Sequence, residues 1–260
     1  VQVELSKLLL SASPRVGLTL LVESGLAERV LPELPKLQLE IDEHHRHKDV
    51  YEHSLIVLEQ ALDLETSHEP QLEPDLVLRL AALLHDIGKP KTRRFEEGGG
   101  VSFHHHEVVG AKLTKKRLTA LRFSNEVIDD VTKLVELHLR FHGYSSGEWT
   151  DSAVRRYVRD AGDQLERLHK LTRADCTTRN KRKAERLAHA YDDLENRIAE
   201  LAVKWRSLVA SAEVMDRYTY FMLESKYSTP PESVIWVLKP DNAPVLALML
   251  ARATPEGPSM

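Results

Sequence analysis

The chain has 260 residues, enough for one large or two small domains with a proper core. Forty acidic against thirty-six basic side chains leave a formal net charge of -4, so the surface as a whole is not built to coat nucleic acid and any RNA contact must be a local patch. Cys176 is the single cysteine, which excludes an internal disulfide or a Cys-rich zinc ribbon, and no apolar run approaches the ~20 residues of a membrane span.

With no signal-peptide pattern at the start, a cytoplasmic protein without a membrane partner is the expectation. Apolar residues recur at helical spacing almost throughout and strand-like alternation is nearly absent, which predicts an all-α fold. Residues 3–10 and 14–35 read as two short helices, with Pro14 at a first-turn position. A helix over 48–64 carries His53. After a loop at 70–74, residues 75–87 form a helix ending in His85 and Asp86. Residues 89–103, with Gly98-Gly99-Gly100, are irregular and hold at most a short hairpin. Helices follow over 107–121, 125–142 and 151–161, and 165–201 is mostly helical with a polar interlude around 177–180. Beyond Ala202 the character changes: there is no His, and Trp205, Tyr218, Tyr220, Phe221, Met222 and Trp236 are too many large side chains for a solvated linker. Because Val1 leads straight into a helical pattern, the chain reads as a fragment whose upstream part is missing.

The chemistry starts at His85-Asp86, at the end of the apolar run Leu80-Ala81-Ala82-Leu83-Leu84. An imidazole nitrogen beside a carboxylate oxygen suits borderline or hard divalent ions. Adjacent helical positions point about 100° apart, so the two can share an ion only near the helix end, which Gly88 and Pro90 supply. Alone, the pair would read as a buried His beside a solvated Asp. Further along, His106 follows the glycine loop, His138 lies in the next helix and Asp175 in a later one. With His53, this order resembles the HD-domain superfamily of metal-dependent phosphohydrolases.

That resemblance implies an inward-facing metal site in a helical bundle, with His53, His85, Asp86 and Asp175 as ligands. His106 and His138 would complete a second site, with Asp86 able to bridge. Among His104, His105 and His106, the last is chosen because the family motif has its His directly before Glu107, with Gly110-Ala111 downstream. His142, one turn after His138, and His44, His45 and His47 are read as ordinary surface or packed residues. The metal, whether Mg, Mn, Ni, Co or Zn, is not distinguished. A bound divalent ion would lower the pKa of water for attack on phosphorus. Asp86 and Lys89 are the catalytic candidates, Lys89 as a point charge for a phosphoryl group or as one more solvated lysine. No Gly-x-x-x-x-Gly-Lys-Ser loop or Gly-x-Ser-x-Gly elbow is present.

The resemblance narrows at Val3-Glu4-Leu5-Ser6-Lys7-Leu8-Leu9, the stretch from Gly17-Leu18 to Leu26, and Val30-Leu31-Pro32-Glu33-Leu34. These are similar to the helical neck and body of bacterial CCA-adding tRNA nucleotidyltransferases and related poly(A) polymerases, actinobacterial members above all. His45-Arg46-His47-Lys48-Asp49-Val50-Tyr51-Glu52-His53-Ser54 fits the opening of the HD domain that follows there. The implied organisation is a neck/body segment at 1–40, an HD-domain helical bundle at 41–201 and an atypical tail at 202–260. The family's catalytic head, with its Gly-Ser turn and paired Asp residues, is expected upstream of residue 1. Basic residues cluster at Lys112, Lys115, Lys116, Arg117 and Arg122, and at Arg179, Lys181, Arg182, Lys183 and Arg186. They are either ordinary charged helix faces or, in a tRNA enzyme, contacts to the phosphate backbone. The expected function is a metal-dependent phosphohydrolase acting on phosphate esters of RNA 3′ ends or nucleotides, within tRNA 3′-end (CCA) processing. A free-standing nucleotide phosphohydrolase and a non-catalytic tRNA-binding body with a structural metal are the alternatives. The oligomeric state is left open.

Overall fold

The computed structural model of the chain describes residues 1–39, 49–66, 73–97, 100–144, 149–178, 180–209, 234–238 and 246–250. The glycines at 98 and 99, Arg179 and the histidines at 44, 45 and 47 lie outside them. Among the described residues the helices are α1 (Gln2–Leu10), α2 (Pro14–Glu23), α3 (Ala27–Val30), α4 (Val50–Thr66), α5 (Leu76–Leu84), α6 (Lys89–Thr92), α7 (His106–Ala120), α8 (Asn125–Leu137), α9 (Asp151–Ala161), α10 (Leu165–Ala174) and α11 (Lys181–Val209). Two antiparallel hairpins accompany them: β1 (Arg94–Glu96) with β2 (Gly100–Ser102), and β3 (Val234–Leu238) with β4 (Leu246–Leu250). The fold is an all-α bundle with minor β additions. None of the described helices is long and apolar enough to cross a membrane.

Helix α5 is the axis. Its sequence is apolar on every side, and every residue from Val77 to Leu84 is buried, as expected of a helix surrounded by others. Asp75 starts it, its carboxylate accepting the Leu78 N–H at 3.1 Å. Helix α8 is amphipathic instead, burying Ile128, Val131, Leu134 and Val135 on one stripe behind a Ser124 cap. Helices α4, α8 and α10 pack on α5, and α7 packs along α8. Each buried leucine contributes about 1.5–3 kcal/mol.

The core runs without a break across the expected boundary at residue 40, since Leu5, Leu9, Leu18, Leu31, Leu34 and Leu37 belong to the same buried cluster as α5. Arg79, buried on α5, donates to the Leu9 and Ser11 carbonyls at the end of α1 (2.7 and 3.0 Å) and pairs with buried Glu65 at 2.7 Å. Arg15 joins Glu52 and Glu59 of α4, and Arg117 of α7 holds Glu33 through two bonds of 2.8 and 2.9 Å. The N-terminal helices are thus docked on the bundle.

Several expected elements are broken. The helix predicted over 14–35 stops at Ser24 because Gly25 takes φ +73°, a left-handed stop that costs glycine little. The pattern over 165–201 is two helices, α10 ending at Asp175 and α11 starting at Lys181, so the break falls on the expected polar interlude around 177–180. Helix α11 then continues to Val209, across the expected tail boundary at 201/202. In the tail, Val234–Leu238 pairs with Leu246–Leu250, a local departure from the near absence of strand patterning; the β-branched and aromatic residues of Val234-Ile235-Trp236-Val237-Leu238 suit a strand, whereas Leu246-Ala247-Leu248-Met249-Leu250 carries no such signal.

Candidate metal centre

The six expected ligands lie at helix ends. His53 sits in the first turn of α4 and His106 opens α7, while His85, His138 and Asp175 are the residues immediately after α5, α8 and α10. Asp86 follows His85 in the turn that joins α5 to α6. The antiparallel run of the bundle brings these ends together, which resolves the 100° divergence of neighbouring helical side chains: the pair is in a turn, not on a helix.

Two groups result. Nε2 of His53 is 3.0 Å from Asp175 Oδ1 and 3.3 Å from His85 Nε2, and His85 Nε2 is 3.6 Å from Asp175 Oδ1. Around the other carboxylate oxygen, His106 Nε2 is 3.2 Å and His138 Nε2 4.0 Å from Asp86 Oδ1. Asp86 Oδ2 faces the first group, 3.2 Å from His85 Nε2 and 3.5 Å from His53 Nε2. Asp86 therefore completes the second triad through Oδ1 and turns Oδ2 toward the first.

The rings are preset as ligands. Nδ1 of His85, His106 and His138 lies 2.9, 2.8 and 2.6 Å from the carbonyl three residues earlier, on Ala82, Phe103 and Val135. Donating there, Nδ1 carries the proton and leaves the Nε2 lone pair facing inward, the arrangement that orients imidazole toward a metal. His53 is held differently, its Nδ1 3.3 Å from the Thr177 hydroxyl. Buried Nε2 of His106 and of His138 has no hydrogen-bond partner. Leaving two such nitrogens unpaired is costly unless something binds them.

Electrostatics agree with a cation. Burial opposes ionisation of both carboxylates, yet the His85 charge, the adjoining His85 and His106 rings and the Lys89 charge hold Asp86 well below the usual range, and the adjoining His53 and His85 rings do the same for Asp175. Burial disfavours charge on His85, but Asp86 and Asp175 outweigh it and push its pKa up to about 10. Positive charge is thus favoured at this point, and a divalent ion would carry it in place of the ring proton. Burial, then the His85 charge, lowers His138 to about 3 and keeps it a neutral donor. The residues fit one divalent ion per triad.

Two glycines and one strained residue set the geometry. A Cβ on Gly88 would fall 2.1 Å from the His106 carbonyl oxygen and 2.7 Å from the Gly110 nitrogen, so the turn after Asp86 rests directly on the first turn of α7. His105 takes φ 61°, left-handed for a non-glycine residue, as the chain swings from β2 into α7. Lys89 Nζ lies 2.6 Å from Asp86 Oδ2 and 5.7 Å from the Phe103 ring centroid.

The expected RNA contacts divide. Lys112, Lys116, Arg182 and Lys183 are exposed, whereas Lys115 pairs with Asp129 at 3.2 Å and Arg117 is engaged by Glu33. Arg117 is thus a structural tie between α7 and the N-terminal segment rather than an open cation. Thr177 and the three backbone carbonyls escaped the sequence reading, since nothing in a lone threonine or a main-chain oxygen marks it in advance.

An all-helical bundle that gathers four histidines and two aspartates at one end, one of them in a His-Asp pair, defines a class of metal-binding domain. Residues 50–180 match the family model described as HD domain, and residues 1–37 match one described as probable RNA and SrmB-binding site of polymerase A. The chain belongs to the HD-domain family. Over 173 residues it is 36% identical to the A-adding tRNA nucleotidyltransferase of Deinococcus radiodurans, covering 66% of this chain and 37% of that protein. It is 41% identical over 140 residues to the CC-adding tRNA nucleotidyltransferase of Thermus thermophilus (54% and 31%), and 30% identical over 141 residues to the multifunctional CCA protein of Alcanivorax borkumensis (54% and 32%). The chain spans about a third of the length of these relatives.

Proposed function

We propose that this chain is a metal-dependent phosphohydrolase unit of a tRNA nucleotidyltransferase-like protein, acting on a phosphate ester of an RNA 3′ end or nucleotide, such as a 2′,3′-cyclic phosphate or 2′-phosphate. The observation that carries the reading is Asp86, with one carboxylate oxygen toward each of two His-containing triads. Held ions would supply Lewis acidity and an activated water at phosphorus. The protein's own part is positional. Asp86 sets the spacing of the two triads, and the backbone carbonyls fix the ring tautomers. Lys89, about one-fifth exposed, keeps a charge at the rim that can turn from Asp86 to a phosphoryl oxygen. Lys112, Lys116, Arg182 and Lys183 are candidates for the RNA backbone.

Engagement of Arg117 by Glu33 favours a second reading, a nucleotide phosphohydrolase with no RNA requirement. The test is hydrolysis of a nucleoside 2′,3′-cyclic phosphate and of p-nitrophenyl phosphate by chain loaded separately with Mg, Mn, Ni, Co or Zn. Turnover in at least one metal form that is lost in Asp86→Asn supports the proposal. Metal retention without turnover on either substrate, or on an RNA bearing the same end groups, would leave a structural metal site in a tRNA-binding body.

A further inference from the structure

Phe95 is 71% exposed, and among the described side chains no other Phe, Tyr or Trp is exposed. It sits at the centre of β1, paired with Val101 of β2, and Arg93 lies over its ring, 5.3 Å from guanidinium carbon to ring centroid. Arg94 and Lys91 beside it are also exposed. An exposed aromatic ring with Arg93 against it and another exposed cation, Lys91, two residues earlier lacks the contiguous apolar area of a protein-docking patch. It matches what an unpaired nucleotide needs: a π surface that accepts any base, and positive charge for the adjoining phosphates.

The hairpin's position ties it to the metal centre. In sequence it lies between the ligands Asp86 and His106, and both its roots are fixed to them. Lys89, in the helix leading into β1, contacts Asp86 and the Phe103 ring, while the Phe103 carbonyl just after β2 accepts from His106 Nδ1 at 2.8 Å. Glu96 is drawn across the hairpin by a hydrogen bond from the Ser102 hydroxyl, on the strand face opposite Phe95.

We infer that the β1–β2 hairpin is a stacking platform for the unpaired end of an RNA strand, with Phe95 taking a base and Lys91 and Arg93 the flanking phosphates, so that the terminal phosphate ester reaches the metal centre. This rests on the phosphohydrolase reading and deepens it. It makes the hairpin, rather than the metal site, the element that distinguishes an RNA end from a free nucleotide.

The test compares Phe95→Ala and Phe95→Trp with the unaltered chain on two substrates. One is a nucleoside 2′,3′-cyclic phosphate, the other an unstructured eight-nucleotide RNA ending in the same group. Phe95→Ala should raise KM for the RNA about tenfold with kcat unchanged, and leave the mononucleotide kinetics as they were; Phe95→Trp should restore the RNA KM. An equal change on both substrates, or none on the RNA, overturns the platform while leaving the phosphohydrolase reading intact. Fluorescence anisotropy of the labelled RNA on chelator-treated protein gives a readout independent of turnover. About tenfold weaker binding by Phe95→Ala, with binding of a blunt RNA duplex unchanged, is expected even if no hydrolysis is seen. Equal affinity of Phe95→Ala and the unaltered chain for the single strand would sink the inference.

Discussion

Gly88 and Gly110 meet backbone to backbone: a Cβ built on Gly88 would stand 2.7 Å from the Gly110 nitrogen, and a Cβ on Gly110 3.4 Å from the Gly88 nitrogen. This contact seats the turn carrying His85 and Asp86 on the helix that begins with His106. The two glycines are not equivalent. Gly88→Ala also drives into the His106 carbonyl at 2.1 Å, where only backbone could move, whereas Gly110→Ala meets chiefly a Val135 methyl at 3.3 Å. Gly88→Ala should therefore cost about 3 kcal/mol and displace Asp86 from the second triad, and Gly110→Ala should cost less than about 1 kcal/mol. Denaturant melts and metal analysis of the two variants would check both; a tolerant Gly88 would contradict the close approach.

Metal content should fall in steps that follow the shared carboxylate. The chain is expected to hold two divalent ions per molecule, Asp175→Ala and His138→Ala one each, and Asp86→Ala fewer than either. Elemental analysis after dialysis against Mn, Co, Ni or Zn measures this. Loss of a single ion in Asp86→Ala would mean that the carboxylate does not serve both triads. The same loading should raise the midpoint of thermal unfolding, since ions bound only to the native state stabilise it by mass action.

Arg79 and Glu65 form a buried pair whose guanidinium also closes the end of α1. Removing Glu65 leaves that cation without its counter-charge, so Glu65→Ala should destabilise by about 3–5 kcal/mol. A double replacement, Glu65→Leu with Arg79→Met, should cost less than Glu65→Ala alone, because no charge is stranded. Chemical denaturation of the three proteins decides; a double replacement that loses as much stability as Glu65→Ala, or more, would argue against a stranded charge.

His169 makes acid stability testable away from the metal centre. Burial against Tyr157, whose ring stacks on it at 5.8 Å, lowers its pKa to about 4, with the Arg173 charge adding to the effect and Glu166 opposing it. Glu195, 3.4 Å from Nδ1, is itself held by Arg173 at 3.0 Å. Since the folded pKa is depressed below the ordinary 6.5, this stability is complete above pH 6.5 and lost as pH falls toward 4. Between pH 7 and 5 it amounts to about 2 kcal/mol. His169→Gln should lose less stability than the unaltered chain over that interval in urea titrations at the two pH values. Parallel losses would show that His169 titrates normally.

The sequence by itself determined the helical class and the apolar helix α5, because these rest on local periodicity; the metal-ligand candidates were named through the resemblance that the order of His53, His85-Asp86, His106, His138 and Asp175 carries. Helix breaks were legible only in part. The stop at Gly25 depends on how a few residues settle against neighbours, whereas the break after Asp175 falls on the polar interlude legible at 177–180, and the long α11 crosses a boundary that composition alone had suggested. The grouping into two sites came from the family resemblance; which atoms face each other was decided only by tertiary structure. Side chains from positions as distant as His53 and Asp175 meet because antiparallel packing brings alternate helix ends to one side, and Asp86 faces both groups because Gly88 lets two backbones touch. Arg117 makes the converse point: in sequence it belongs to a basic cluster, but Glu33, from a segment 84 residues away, claims its charge. A side chain's type is written locally, whereas its partner depends on which distant surfaces the packed core brings within reach.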